Sequence, residues 1–245
     1  MNKNQPLSKA KISELAKLKQ KKYRQERGQV VVEGYRLIKQ LAAYGINPHE
    51  IYFQNELPEF CPSSLSIELS PAAMARICES DHPSELAALY DIPLPRKLDY
   101  HTALYLDRIA DPGNMGTIFR TAAAFAIEQI FISEGSCEIA NPKVIRSSMG
   151  AVYKVPHMIM DLEALSYEKS TKVVLDMAGE ISLPEYRKQD KATIYILGSE
   201  AHGVDQHLLA LADIRLRIPM VGEMESLNVA MCSAILAYHL STIID

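Results

Sequence analysis

Three polar, glycine-bearing stretches hold the residue types in this chain that could carry out chemistry. The first covers 111–117 and is followed by Arg120, the second covers 198–203, and the third covers 218–230. Glycine lets a backbone approach a ligand closely, and a helix that starts beside such a stretch offers N–H groups to an anion. The planar donor fork of Arg120 could hold a phosphate or a developing oxyanion.

Each stretch also has a simpler interpretation. The first could be an Asp-Pro-Gly turn followed by a surface arginine. The third could be a capped helix with a flexible entrance, in which Ser226 is the N-cap and Asn228 lies in the first turn. In the second, Glu200 could bind a ribose hydroxyl or orient a cation, whereas His202 is more typical of a solvated loop. The residues alone leave these interpretations open.

Several kinds of active site are excluded by the motifs. The second stretch matches neither the dinucleotide-binding pattern GxGxxG nor the phosphate-binding pattern GxxxxGK[ST]. No Ser/His/Asp order, carboxylate pair or metal-ligand spacing stands out, and the four cysteines are scattered without a CxxC pair. We therefore expect no metal, and a reaction that depends on positioning and electrostatics, with an external cofactor supplying the reactive group.

The elements that must position these stretches alternate between strand and helix. Strands are predicted at 103–107, 129–133, 172–176, 193–197 and 214–218, and helices at 115–125, 142–147, 205–211 and 227–243. This alternation predicts an α/β fold with a mostly parallel sheet covered on both faces. In such a sheet, ligands bind beyond the carboxyl ends of the strands, which is where polar, glycine-bearing loops are predicted.

The first part of the chain predicts a separate, small α/β domain. It combines a basic helix over 9–26 with weaker strand and helix patterns, and the proline-containing segment 91–100 has the composition of a linker. We expect an N-terminal domain over 1–92, a linker over 93–102 and a second domain over 103–245.

The distribution of charge and hydropathy along the chain bears on its partners and its location in the cell. Residues 1–27 hold nine of the 26 Lys and Arg residues but two of the 30 Asp and Glu residues, although the net charge is -4. A basic segment on an acidic body suits a polyanion partner, but it could equally aid solubility. No apolar run approaches the roughly 20 residues needed to span a bilayer, and no signal peptide is evident, so we expect a cytoplasmic protein without membrane contact.

In chain order, the three stretches resemble the three motifs of the SpoU (TrmH-like) RNA ribose methyltransferases, a branch of the SPOUT superfamily. The resemblance covers 103–245, and 30–53 is similar to a small RNA-binding domain like ribosomal protein L30e. It implies a parallel sheet whose C-terminal part is threaded as a trefoil knot, and a homodimer. It further implies methyl transfer from S-adenosylmethionine to a ribose 2′-hydroxyl of structured RNA, with rRNA expected before tRNA.

The resemblance also implies roles for single residues. Arg120 would be the central catalytic residue, and four polar residues would complete the active centre: Asn114, Glu200, Ser226 and Asn228. The adenosyl pocket would be formed by Gly198, Ile218, Met220 and Leu227. Ser199 stands where many members have asparagine, and Ala126 stands where many have glycine. Neither departure removes a proposed catalytic group, so they bear on the identity of the substrate more than on the activity.

Three alternatives accompany this interpretation. The target could be tRNA, or the chain could be a non-catalytic RNA-binding or ribosome assembly factor with the same fold. The joint presence of the five polar site residues favours an enzyme. A nucleotide-dependent α/β enzyme of another class, such as an oxidoreductase, would lack its glycine fingerprint here.

Overall fold

The structure, a computed structural model, describes residues 7–199, 203–223 and 226–242. Contacts define an N-terminal unit, Met1–Leu94 with Glu138–Tyr153, and a C-terminal unit, Pro95–Cys137 with Lys154–Asp245. The division falls inside the predicted linker, but the segment from Glu138 to Tyr153, predicted within the second domain, belongs to the N-terminal unit. A Cβ on Gly150 would lie 2.7 Å from the side chain of Leu41, so this segment packs tightly there.

The elements follow one another along the chain as helices and strands of modest length. The helices are α1 (Lys9–Lys17), α2 (Lys21–Arg27), α3 (Tyr35–Ala43), α4 (Pro71–Ile77), α5 (Pro112–Ala124), α6 (Pro142–Ser147), α7 (Leu162–Tyr167), α8 (Gln206–Ala210) and α9 (Val229–Thr242). The strands are β1 (Gln29–Glu33), β2 (Glu50–Phe53), β3 (Ser66–Glu68), β4 (Leu86–Asp91), β5 (Thr102–Leu106), β6 (Gln129–Ile132), β7 (His157–Ile159), β8 (Thr171–Leu175), β9 (Ile181–Ser182), β10 (Thr193–Leu197) and β11 (Ile214–Arg217).

The N-terminal unit is built on a four-stranded mixed sheet with the order β1-β4-β2-β3. Strand β4 pairs antiparallel with β1 and β2, and β2 pairs parallel with β3. The core contains Leu15, Leu18, Tyr52 and Met74, all almost fully buried. The basic N-terminal segment is therefore part of the packed unit.

The single helix predicted over 9–26 is wrong, because the chain turns after α1 and restarts as α2. The turn is held by the guanidinium of Arg24, whose Nη1 donates to the carbonyl oxygens of Leu18 and Lys19 at 2.9 and 2.7 Å. These carbonyls lie just beyond the end of α1, where helical partners run out. The second helix thus satisfies the end of the first.

Arg24 also forms a buried ion pair with Glu138. The two side chains are 3% and 11% exposed, and Arg24 uses both Nε and Nη2 to donate to the carboxylate. A cation that the sequence analysis counted with the basic surface is therefore structural. Its partner comes from the returning segment of the N-terminal unit.

The C-terminal unit confirms the predicted α/β fold with a parallel sheet. Within the described residues, seven strands pair in the order β7-β6-β5-β10-β8-β11-β9, and all the pairs are parallel. All five predicted strands are present to within about a residue. The edge strands β7 and β9, three and two residues long, were not predicted because such short pieces carry no usable periodicity.

Helix α5 begins earlier than the predicted residue 115. The Asp111 side chain accepts a hydrogen bond from the backbone N–H of Asn114 at 2.9 Å, and Pro112 occupies the first helical turn. The first glycine-bearing stretch is therefore the start of a helix, and its interpretation as a turn is wrong.

The buried Arg24–Glu138 pair makes a prediction about stability. Replacing Arg24 with Ala should lower the free energy of unfolding by about 3–5 kcal/mol, because it leaves a buried carboxylate without its partner. Arg27, on the same helix, pairs with Glu14 at an exposed position, and Arg27→Ala should cost less than about 1 kcal/mol. Urea denaturation of both variants measures the difference, and equal destabilisation would contradict the structural role of Arg24.

Candidate active site

A cavity of about 270 Å³ lies beyond the carboxyl ends of β8, β10 and β11 in the C-terminal unit. Gly198, Ile218, Met220 and Leu227, predicted from the resemblance to bind a cofactor, all contribute to its wall. They come from the second and third polar stretches, which are about 20 residues apart in sequence. The structure therefore brings these two stretches together around one cavity.

Gly198 is required here by a close approach of two backbone segments. A Cβ at this position would lie 2.3 Å from the carbonyl carbon of Gly203 and 2.4 Å from the backbone nitrogen of Val204. The stretch also closes on itself through the Gly203 N–H, which donates to the Ser199 carbonyl at 2.9 Å. The absence of a side chain at Gly198 thus lets the backbone of Gly203 and Val204 pack against it and form the cavity wall.

A pair of asparagines links the first and third stretches. The Nδ2 of Asn228 donates to the Oδ1 of Asn114 at 3.1 Å. The Oδ1 of Asn228 accepts from the backbone N–H groups of Ala230 and Met231 at 2.9 and 3.3 Å, so Asn228 caps α9. The predicted cap, Ser226, is wrong: α9 starts three residues later, and Ser226 lies on the cavity wall instead.

Arg120 lies on the exposed side of α5. It follows Asn114 by six residues, which corresponds to about 9 Å along the helix and about 240° around it. The described cavity wall includes neither of these side chains, and no hydrogen bond or ion pair joins the Arg120 side chain to another described residue. Glu200 and His202, the other polar residues of the second stretch, lie outside the described residues.

Asp176 is a wall residue that the sequence analysis did not single out. It follows β8 directly, and its carboxylate accepts hydrogen bonds from Arg215 Nη2 and, at 3.2 Å, from the backbone N–H of Ala178. Burial acts to raise the pKa of Asp176, but the Arg215 pairing and the backbone donors outweigh it and lower that pKa, so the group is ionised. An acid at the carboxyl end of a predicted parallel strand was the available signal.

The chemical character of the cavity suits a partly flat, partly polar ligand. Its wall is mostly apolar, with backbone groups from the glycine-bearing stretches and the carboxylate of Asp176. Apolar walls with a few fixed polar groups are typical of small-molecule sites. An adenosyl cofactor combines a flat base with hydroxyl and amino donors, and the residues present fit it.

Two further observations concern the described part of the chain. It contains no group of three or more His, Cys, Asp or Glu side chains that could hold a metal ion. Its helices also include none with the length and hydropathy needed to cross a membrane.

Comparison with known families and proteins gives a consistent result. A family model described as the SpoU rRNA Methylase family matches residues 101–238, and one described as the MRM3-like substrate binding domain matches residues 9–88. The chain is 32% identical over 240 residues to the 23S rRNA (guanosine(2553)-2′-O)-methyltransferase RlmP of Bacillus subtilis. That match covers 94% of this chain and 95% of the relative.

Solved structures resemble the chain along almost its whole length. A putative RNA methyltransferase of the TrmH family from Porphyromonas gingivalis has a TM-score of 0.82 at 29% identity, covering 96% of this chain and 98% of that one. The SpoU methyltransferase AviRb from Streptomyces viridochromogenes, in complex with AdoMet, has a TM-score of 0.82 at 22% identity. It covers 96% and 97% of the two chains, and it supports the fold alone.

The backbone contact at Gly198 predicts the effect of a single methyl group. Gly198→Ala should lower the free energy of unfolding by about 1–3 kcal/mol, because its Cβ meets backbone atoms that have little freedom to move. It should also weaken ligand binding in the cavity. Gly222→Ala is the matched control, since its Cβ would meet nothing within 4 Å. Thermal denaturation compares the two, and a neutral Gly198→Ala would contradict this view of the cavity wall.

Proposed function

This chain belongs to the SpoU rRNA methylase family. We propose that it transfers a methyl group from S-adenosylmethionine to a ribose 2′-hydroxyl of structured rRNA. The observation that carries this proposal is the cavity at the carboxyl ends of β8, β10 and β11. Its wall contains the four residues that the family motifs assign to the adenosyl pocket: Gly198, Ile218, Met220 and Leu227.

The cofactor, when bound, supplies a methyl group on a sulfonium that is already activated for transfer. The protein must therefore align the ribose 2′-oxygen and make it more nucleophilic. Alignment alone contributes several kcal/mol to such a reaction. We propose that the loops around the cavity hold the donor side and that the polar residues of α5 and the start of α9 hold the acceptor side.

Arg120 is the residue that we propose to act on the 2′-oxygen. Arginine side chains stay protonated in proteins, so Arg120 is unsuited to remove the hydroxyl proton. Its guanidinium can instead donate hydrogen bonds to the forming alkoxide and stabilise its charge. We propose that a phosphate of the substrate assists with the proton. The exposure of Arg120 on α5 supports this role, since the group must reach a large RNA.

The remaining site residues are proposed to shape the active centre. The hydrogen bond between Asn228 and Asn114 supports this, because it joins the start of α9 to the first turn of α5. Ser226, on the cavity wall, is proposed to lie beside the reacting groups. The role of Glu200 in supporting the pocket remains a proposal based on its motif.

The substrate is proposed to be rRNA. The relative from Bacillus subtilis is a 23S rRNA 2′-O-methyltransferase, and the match covers 94% of this chain. The family model over 9–88 is described as a substrate binding domain, which supports RNA binding by the N-terminal unit. Action on ribosomal RNA is consistent with a cytoplasmic location, which we also propose.

A homodimer and a knotted C-terminal part complete the proposal. Helix α9 exposes Met231, Ile235 and Tyr238, which recur at helical spacing on one side and suit an interface with a second copy. A C-terminal chain threaded as a trefoil knot is proposed from the family resemblance, and the close approach of Gly179 to the distant Leu216 backbone is compatible with it.

The exposed lysines of α1 and α2 are proposed to contact RNA phosphates. Deleting residues 1–27 would be an unsuitable test, because Leu15 and Leu18 belong to the core. Replacing Lys17, Lys21 and Lys22 with Gln removes three exposed charges and breaks surface contacts to Glu26 and the Tyr23 ring, and it should weaken RNA binding.

The salt dependence of binding separates this role from solubility. The slope of log K against log salt should fall by about 0.7–0.9 for each RNA phosphate that the variant no longer neutralises. The control replaces Lys169, Lys188 and Lys191, three exposed lysines of the C-terminal unit, with Gln. Equal salt slopes for the two triple variants would contradict RNA binding by α1 and α2 and would favour a role of their lysines in solubility.

Arg120→Ala tests the catalytic proposal. The variant should retain the rise in melting temperature that S-adenosylmethionine causes, because Arg120 lies outside the described cavity wall. Its single-turnover methyl transfer to rRNA should fall by about 10²–10³. Arg187→Ala, at another exposed arginine, is the control and should transfer at the wild-type rate.

Two outcomes would count against the proposal. Undiminished transfer by Arg120→Ala would remove that residue from the mechanism. A wild-type protein that shows neither a cofactor-induced stabilisation nor transfer would instead be a non-catalytic RNA-binding or assembly factor with the same fold.

A further inference from the structure

Asp176 carries the negative charge of the described cavity wall. Every other described residue of that wall is apolar, a glycine, a serine or a cysteine. The side chain is 22% exposed, so part of the carboxylate is open to the cavity. Placing a carboxylate in an apolar cavity costs free energy unless the charge is paired and hydrogen-bonded. The partners of Asp176 meet that requirement.

The turn that carries Asp176 is fixed against the neighbouring strand β11. The Asp176 N–H donates to the Leu216 carbonyl at 2.8 Å, and the Gly179 N–H donates to the Asp176 carbonyl at 3.0 Å. A Cβ on Gly179 would lie 2.4 Å from the Leu216 carbonyl carbon, so the turn lies directly on the strand. Arg217 Nη1 also donates to the Gly179 carbonyl at 2.8 Å. The carboxylate is therefore presented from a rigid backbone.

The charge of Asp176 is balanced by Arg215 on β11. Arg215 Nη2 donates to Oδ2, and the Ala178 N–H donates to Oδ1 at 3.2 Å. An ionised carboxylate has about four acceptor sites, so the two oxygens keep capacity for a further donor. Because the ion pair is neutral overall, the site offers hydrogen-bond acceptors with little net negative field. This combination favours a neutral hydroxyl donor over a cationic group.

We propose that Asp176 accepts a hydrogen bond from a ribose hydroxyl of the adenosyl cofactor. The assignment rests on the proposed function, since it presumes that the cavity binds that cofactor. In open parallel sheets, an acidic residue beyond a strand end can hold the ribose hydroxyl of a nucleotide, which is the position of Asp176 after β8. Arg215 is then a positioning residue that acts through Asp176.

The test compares ligands that differ in one hydroxyl. Calorimetry of the full chain would measure binding of 5′-methylthioadenosine, which keeps the base, ribose and a neutral sulfur, and of its 2′-deoxy and 3′-deoxy counterparts. The wild type should bind at least one deoxy compound about 10- to 100-fold more weakly. Asp176→Asn should bind the parent compound more weakly by a similar factor and lose the discrimination. Glu180→Gln, on the same turn, is the control and should behave as the wild type.

A second measurement separates ribose recognition from charge recognition. Asp176→Asn should weaken S-adenosylmethionine and S-adenosylhomocysteine by the same factor, because the two share the ribose and differ in the sulfonium charge. Loss of affinity for the methylated form alone would overturn the assignment. So would discrimination against the deoxy compounds that persists in Asp176→Asn. If that variant does not fold, Asp176→Ser supplies the same comparison with a smaller neutral side chain.

Failure of the underlying function gives a different result. A wild-type protein that binds neither S-adenosylmethionine nor 5′-methylthioadenosine would overturn the proposed function, and this inference with it. A wild-type protein that binds both without discriminating against either deoxy compound would overturn the ribose contact alone.

Discussion

The close contact of backbone with backbone at the carboxyl ends of adjacent parallel strands is the constraint on which the candidate site depends. At Gly198 the backbone of Gly203 passes too near for any Cβ, and at Gly179 the backbone of Leu216 does the same. Since β10, β8 and β11 are neighbours in the sheet, these loops all emerge at one edge. Two residues without side chains let the loops pack there and enclose a cavity.

Side-chain polarity then adds orientation to a wall that backbone packing has shaped. Asn228 caps α9 with one atom of its amide and reaches Asn114 with the other, so a single side chain sets both the start of a helix and its link to α5. Asp176, at the end of β8, is likewise held by a partner from another element, because Arg215 on β11 donates to its carboxylate. Each polar group is held by a second partner, which limits its movement when a ligand binds.

The N-terminal unit shows that one basic segment can serve two purposes. Leu15 and Leu18 bury one side of α1 in the core, and Arg24 is engaged by an ion pair and by carbonyls at the end of that helix. The lysines on the other side stay exposed. Charge counted along a sequence adds these groups together, although only the exposed ones can meet a polyanion.

The sequence by itself determined the features that local chemistry controls. The alternation of strands and helices predicted the parallel sheet, and polar, glycine-bearing loops were predicted at the carboxyl ends of its strands, where the second and third stretches line the cavity. Only the tertiary structure decided that Glu138 returns to the N-terminal unit, that Arg24 is buried, and that Asp176 lines the cavity. Those outcomes depend on partners far away in the chain, and neither periodicity nor propensity records which distant residue a side chain will meet.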